Sequence, residues 1–322
     1  MTKKKEKPEL VFMGTPGFAA GILKELLRLG YPVKGVVTAP DKPAGRGLGP
    51  QPSVVKTTAL ESNLPVLQPV SLKDSQFLER LSKWDASIFV VVAFRMLPPQ
   101  VWQMPPHGCL NLHASLLPGY RGAAPINHAI INGEKETGLT TFLIDEQIDT
   151  GAILLQQSIP IAETDNAGSL HDKMMEAGGP LVARTIEGLW SGSIKPVPQP
   201  FVAPGELKPA PRLSRETCRI NWNNEPGAIV NLVRGLSPYP CAFSTLKKGE
   251  TFVDIKIYEA RAEITTHGDT PGKVVSDWKT TLKVACPGGY VHLLEVQAPG
   301  KKRLSAGTFL AGFRNTGELN FR

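Results

Sequence analysis

The sequence predicts an open, mostly parallel α/β sheet with helices on both faces, followed by a small β-barrel. Three observations carry this. Short apolar runs alternate with helical patterns through the first 190 residues, the arrangement of a sheet wound by crossover helices. One run, SIFVVVA at 87–93, is apolar throughout, as a strand covered on both faces must be. After Trp190 the texture turns proline-rich and then into closely spaced β-patterns.

Taken in order, Leu10–Met13 reads as a buried strand. Gly17–Leu29 reads as an amphipathic helix ended by Gly30, a residue free to take the left-handed conformation of a helix terminus. Val33–Thr38 is the next strand, 53–62 a helix, Pro65–Gln68 a short strand and Asp74–Lys83 a helix. Ser87–Ala93 takes the centre of the sheet. Cys109–His113 is a strand, Pro125–Asn132 a helix, Gly138–Ile144 and Ile153–Ile161 strands, and Gly168–Leu189 a longer helix. The result is a Rossmann-like sheet. GTPGF at 14–18 is not G-x-G-x-x-G, so its glycines are read as a tight strand–helix turn and not as a dinucleotide site.

Domain boundaries follow from composition. Residues 1–192 form the first domain, 193–211 a proline-rich extended linker, and 212–322 the second domain. In the last, Ala242–Leu246, Thr251–Ala260, Gly272–Ser276, Thr281–Ala285 and Tyr290–Val296 are short strands separated by turn signals such as HGDTPG and CPGG. That density of strands suits a small barrel.

Composition and charge narrow the class. With 41% hydrophobic and 20% charged residues the chain is an ordinary globular protein with enough apolar side chain for a core. No run of 18 apolar residues occurs, and the basic start MTKKKEKPEL leads straight into a strand without a signal-peptide core, so a cytoplasmic protein without a membrane partner is expected. The four cysteines, Cys109, Cys218, Cys241 and Cys286, lie far apart and none has CxxC spacing; free thiols and no metal are expected. Residues 205–322 hold 17 Lys and Arg against 11 Asp and Glu, whereas the other 204 hold 19 against 18. Nearly all the net charge of +7 is therefore C-terminal, which suits a polyanionic partner such as nucleic acid or, more blandly, a solvated basic surface.

The stretch from Cys109 to Gly151 carries the chemistry. Asn111 and His113 alternate on one strand, so they project from the same face, at the carboxyl end where open parallel sheets hold ligands. Asp149 sits in the IDTG loop, within folding reach of His113. An amide, an imidazole and a carboxylate suit acyl transfer by direct amine attack: a donor for the developing oxyanion and a group to take the amine proton, without metal or covalent nucleophile. Taken singly the signals are weaker. An Asn-x-His pair at a strand end is common, and an Asp before Thr-Gly is usually a turn former. A triad through Ser115 lacks the G-x-S-x-G elbow.

Asn111-Leu-His113, then Ser115-Leu116-Leu117-Pro118, then Asp149-Thr-Gly151, together resemble the folate-dependent formyltransferase family. Within it, VFMGTPGFAA at 11–20, APDKPAGRGLGPQPSVVK at 39–56, VLQPVSLK at 66–73, PGYRGAAPI at 118–126, INW at 220–222 and PGKK at 299–302 are similar to the members that formylate methionine charged on initiator tRNA. The resemblance covers essentially the whole chain. It implies that the first domain binds 10-formyltetrahydrofolate, with Ser115, Leu116, Leu117 and Pro118 shaping the pterin pocket and Asn111, His113 and Asp149 as the catalytic trio. It further implies that the second domain is an oligonucleotide/oligosaccharide-binding (OB-like) barrel contacting initiator methionyl-tRNA. Lys42 and Arg46, on a loop rich in small residues, are the tRNA contacts expected from the first domain, and a monomer is expected. A formyltransferase acting on another amine, such as a nucleotide sugar or glycinamide ribonucleotide, is the alternative within the family. An RNA-binding protein on an inactive scaffold is the alternative outside it. Two places depart from the family pattern. Val54 stands where Pro is usual, at a helix start, and Ala93-Phe94-Arg95 stands where Ala-Tyr-Gly is common, which puts a charge beside the expected folate pocket.

Overall fold

A computed structural model describes residues 7–43, 49–203, 205–312 and 319–322. By the density of internal contacts the chain divides into two units. One comprises Met1–Gly122, Gly138–Ile159 and His171–Pro209, and the other Ala123–Thr137, Pro160–Leu170 and Ala210–Arg322.

The first unit is built from β1 (Leu10–Gly14), α1 (Gly17–Arg28), β2 (Val33–Val37), β3 (Lys42–Pro43), β4 (Pro50–Gln51), α2 (Val54–Glu61), β5 (Val66–Leu67), α3 (Ser75–Ser82), β6 (Ile88–Val92), α4 (Pro99–Trp102) and β7 (Cys109–His113). After α5 (Pro125–Ile131) come β8 (Glu136–Leu143), β9 (Ile153–Pro160) and α6 (Ala167–Ser191). The sheet order is β5-β2-β1-β6-β7-β8-β9. The strands from β5 to β7 pair in parallel, and β8 pairs antiparallel with β7. All five residues of β1 and of β6 are buried, which is why their sequences are continuously apolar. Side-chain alternation divides the sheet into two cores: Val11, Met13, Phe89 and Val91 share one with Phe77 and Leu81 of α3. On α6, a Cβ at Gly178 would lie 2.9 Å from Ile22 and 3.0 Å from Leu112, so glycine lets α6 pack tightly against α1 and β7.

Local signals explain the boundaries. Gly30 has φ +75° directly after the α1 cap residue, as expected. Ser53 caps α2 by accepting from Lys56 N at 3.0 Å, so Val54 begins that helix without a proline. Asp74 caps α3 in the same way, at 2.8 Å.

The second unit contains α5 and α7 (Pro226–Leu236), followed by β10 (Ala242–Lys248), β11 (Thr251–Ile264), β12 (Val274–Ser276), β13 (Leu282–Cys286), β14 (Gly289–Gln297), β15 (Leu304–Ser305), α8 (Ala306–Leu310) and β16 (Leu319–Phe321). The antiparallel order is β12-β13-β14-β11-β10-β16, with β15 on β14. Phe321 N donates to Gly272 O at 2.8 Å and Lys273 bridges to Asn320, so the first and last strands meet in a nearly closed, OB-like barrel. Only glycine serves at position 272: φ is +88°, and a Cβ would lie 2.3 Å from the Phe321 carbonyl. Register shifts between Ile257 and Ala260 bend the long strand β11. Inside, Trp222 donates to Ser244 Oγ at 2.8 Å among Ile229, Val233, Leu236 and Phe321.

Two of the differences from the sequence reading concern helices of the second unit. Helix α7 was not expected, because its two glycines mask an apolar spacing (Ile229, Val233, Leu236) that the barrel buries. Helix α5 is not part of a continuous first domain. It packs on α7, where Asn127 Nδ2 donates to Gly235 O at 2.8 Å, and a Cβ at Gly235 would lie 2.6 Å from Ile131.

Candidate active site

Strand β7 presents Asn111 and His113 on one side of its carboxyl end, with Asn111 registered against Val91 and Phe142, and His113 against Thr140. His113 is buried. Its Nε2 lies 2.9 Å from the Tyr120 carbonyl oxygen. A carbonyl only accepts, so Nε2 carries a proton and Nδ1 is the nitrogen that faces Asp149, 3.8 Å from Oδ2. At that distance the pair is Coulombic and not a hydrogen bond. The backbone of Tyr120, more than Asp149, fixes the imidazole ring. Among the described residues the Asn111 amide has no hydrogen-bond partner, which leaves its donors for a ligand.

Asp149 reaches the site from the β8–β9 connection. Its φ is +57°, a conformation Asp tolerates better than most residues, and its Oδ2 accepts from Gly122 N at 2.9 Å. Asp145 shapes the loop by accepting from Gln147 N at 3.1 Å and Thr150 Oγ1 at 2.8 Å. A Cβ at Gly151 would lie 1.7 Å from the Leu143 carbonyl oxygen, so glycine is required there. The turn-forming and chemical readings of IDTG are therefore compatible: the turn aims the carboxylate.

The loop expected to shape a pterin pocket divides its side chains. Ser115 and Leu117 are buried, and Leu116 and Pro118 are half-buried. Ser115 Oγ donates to Gly119 O at 2.6 Å and does not pair with His113, which disposes of a serine triad. Thr140 Oγ1 holds the loop from below: it donates to Ser115 O at 2.7 Å and accepts from Leu117 N at 3.1 Å and Gln156 Nε2 at 3.0 Å. The Leu117–Pro118 bond is cis. Arg95 turns toward backbone, donating to Val70 O at 2.9 Å and Pro69 O at 2.8 Å; burial pulls its guanidinium below the usual range. Its charge thus clamps the loop after β5. Cys109, at the start of β7, is a buried free thiol pushed up by desolvation, so it is not a nucleophile.

Lys42 is exposed in the short β3–β4 pair, and Arg46 lies outside the described residues. The stretch read as a linker is not free. Ile153 and Val197 form an antiparallel bridge, Tyr120 N donates to Lys208 O at 2.7 Å, and Gln199 Nε2 donates to both Asp149 O and Gly151 O at 2.9 Å. Sequence inspection missed Gln199 and Thr140, since neither lies in a motif and proline density hid the first.

Residues 9–186 match the family described as formyl transferase and residues 212–314 its C-terminal domain, so the chain belongs to the formyl transferase family. Its relatives include the methionyl-tRNA formyltransferases of Bacteroides fragilis (51% identical over 316 residues, 97% of each chain) and Bacteroides thetaiotaomicron (52% over 314 residues, 97% of each). The fold is also that of HypX from Aquifex aeolicus, solved in complex with tetrahydrofolic acid (TM-score 0.64, 17% identity, 98% of this chain and 51% of that one). A sugar 3N-formyl transferase, WlaRD, solved with dTDP and 5-N-formyl-THF, shares it too (TM-score 0.63, 18% identity, 92% and 100%).

Proposed function

We propose that this enzyme transfers the formyl group of 10-formyltetrahydrofolate to the free amine of methionyl-initiator tRNA, for translation initiation. The observation that carries the chemistry is the meeting of an unpartnered Asn111 amide, His113 Nδ1 and Asp149 at the end of the parallel sheet. Near-identity in length with the methionyl-tRNA formyltransferases, at about half identity, supports the acceptor over a nucleotide sugar or glycinamide ribonucleotide.

The residues present fit a folate donor and need no metal. Half-buried Leu116 and Pro118 offer apolar surface on the loop that follows β7, and among the described residues the Asn111 amide has no partner of its own. The bound folate supplies the formyl carbon. Asn111 donates to the formyl oxygen, on which charge develops as the amine attacks. A proton on His113 Nδ1 serves the same oxygen, and Asp149 offsets the charge of the ring. Gly122 engages Asp149 Oδ2, which leaves Oδ1 to accept the amine proton, directly or through one water, and to return it to the departing folate nitrogen as the old formyl carbon–nitrogen bond breaks. Tyr120, Gly122 and Thr140 hold these groups in place, so approach geometry is set before substrates arrive.

For tRNA, the exposed Lys42 and the neighbouring Arg46 serve the acceptor arm, and the basic barrel serves the phosphates. Arg215 and Arg219 stand over the Phe243 ring at 5.3 and 5.6 Å, and Arg215, Phe243 and Lys256 line an open cavity of about 540 Å³. Cations interleaved with a ring suit backbone tracking with base stacking. All three site groups come from one chain, so no second copy is needed to complete the site; we infer a monomer, acting in the cytoplasm where initiator tRNA is charged. No helix among the described residues is long and apolar enough to cross a membrane.

The test is incubation with 10-formyltetrahydrofolate and charged initiator tRNA, beside elongator methionyl-tRNA, an amino sugar nucleotide and glycinamide ribonucleotide. Formyl-methionyl-tRNA from the initiator alone is expected. Formylation of a small amine in preference to the tRNA would overturn the acceptor assignment.

A further inference from the structure

We propose that Gln199 is a positioning residue for Asp149, and that the segment from Ile194 to Ala203 is a strap that sets the geometry of the active site; the proposal rests on the role given to Asp149 above. Asp149 is held in a left-handed conformation on a loop whose own bonds run from Asp145 to Gln147 and Thr150 and leave the Asp149 carbonyl to another segment. Gln199 is that segment's contribution. Both hydrogens of its amide are used, one on Asp149 O and one on Gly151 O, each at 2.9 Å. Its Oε1 accepts from Arg121 Nη2 at 2.5 Å. Arg121 lies between Tyr120, whose carbonyl fixes His113, and Gly122, whose N–H fixes Asp149. One side chain therefore ties together the two loops that orient the two titratable site groups.

The surrounding sequence explains why a side chain does this. Pro196, Pro198 and Pro200 alternate through the strap, so those positions have no N–H to extend a ladder and their φ is preset to an extended path. Backbone bonds at Val197 and, further on, at Lys208 hold the chain on either side of Gln199. Only glutamine has the length, the paired donors and the acceptor needed: Glu has no donor, and Asn is shorter by a methylene.

The experiment compares Gln199→Met, of the same length without polar atoms, and Gln199→Glu, which keeps the Arg121 contact but loses both donors. Each is made alone and with Asp149→Asn, and assayed for single-turnover formylation of charged tRNA. A misplacement of the carboxylate by a fraction of an ångström should lower kcat roughly 10–100-fold. KM for folate and for tRNA should stay within about twofold in both variants. With Asp149→Asn, the further loss from Gln199→Met should shrink below about twofold, because residues acting as a unit are not additive. Wild-type kcat in both single variants, an equal loss in both backgrounds, or a change confined to KM would each overturn the proposal. Should Gln199→Met fail to fold, Gln199→Glu carries the same comparison. Wild-type activity in Asp149→Asn alone would instead remove the role given to Asp149, whatever the Gln199 variants do.

Discussion

Replacing Thr140 with valine tests how far the site depends on one buried hydroxyl. The two side chains have nearly the same shape, so packing changes little, but every polar contact of Oγ1 is lost. Thr140 is fully buried. Its hydroxyl donates to Ser115 O and accepts from Leu117 N and Gln156 Nε2. Gln156 retains its second contact, to Leu117 O at 3.0 Å. The Ser115 carbonyl and the Leu117 N–H lose the partner that Oγ1 gave them, at roughly 1–3 kcal/mol for each buried group left unsatisfied. The expected cost is about 3 kcal/mol, roughly a hundredfold in the folding equilibrium of the first unit. Thr140→Ser keeps the hydroxyl and should cost about 1 kcal/mol, for the methyl alone. Guanidinium unfolding, followed by a probe in the first unit, measures both; folate affinity and kcat measure the consequence for the site. Because the same loop carries Leu116, Pro118 and the Tyr120 carbonyl, valine should weaken folate binding and lower kcat together. A Thr140→Val protein within about 0.5 kcal/mol of wild type, with normal folate affinity, would refute the reasoning.

Other outcomes follow from other parts of the molecule. Asn111→Ala should lower kcat about 10²–10³-fold, the usual cost of one oxyanion donor, with tRNA affinity unchanged by filter binding; retention of more than a tenth of wild-type kcat would remove that role. Arg215→Ala should weaken tRNA binding and reduce the slope of log Kd against log salt by about 1, and an unchanged slope would take Arg215 out of the phosphate contacts. In the barrel, Lys273 and then Tyr290 hold Asp269 below the usual carboxylate range, and Lys283 and then His292 do the same for Glu263. Such depressed carboxylates stabilise fully above their unfolded pKa of about 4, and that stability is lost as pH falls through the folded values. The bond to Asp269 pushes Tyr290 up to about 12, so its share is present below about pH 10 and lost as pH rises toward 12. Asp269→Asn should flatten the denaturation midpoint against pH on both sides, and an unflattened acid limb would show that the carboxylate is not what titrates.

What could be read from the sequence depended on whether the cause was local. SIFVVVA announced a central strand because burial on both faces demands apolar residues at every position. Asn111 and His113 could be placed on one face because a strand has a period of two. Gly30 and Asp74 marked helix ends through their own backbone chemistry. Other features have causes outside their own segment. Nothing in PGAIVNLVRGL declares a helix until the barrel covers Ile229, Val233 and Leu236. Arg95 looked like a charge thrust at the site, yet the carbonyls of Pro69 and Val70, some 25 residues away in the chain, turn it aside. By its prolines alone the stretch from 193 reads as a spacer. Those prolines keep the chain extended, and what they extend it along is the edge of β9 and the loop of Asp149.

Together these contacts show why the site has little slack. His113 is oriented by Tyr120 O and Asp149 by Gly122 N, so two residues on either side of Arg121 orient both groups. A shift of that tripeptide moves imidazole and carboxylate together and leaves Asn111, on the strand, where it was. On the proposed mechanism, which uses no covalent nucleophile, the rate depends on the relative placement of these three groups, and an error near 1 Å can cost about 10²-fold. The tripeptide is accordingly fixed from several sides: by Thr140 through the preceding loop, by Lys208 O on Tyr120 N, and by Gln199 on Arg121. Each of these contacts comes from a segment distant in sequence. It follows that substitutions which loosen the Lys208 or Gln199 contact, unlike those at Thr140, should lower kcat more than they raise KM, because they disturb placement and leave the loop of Leu116 and Pro118 intact.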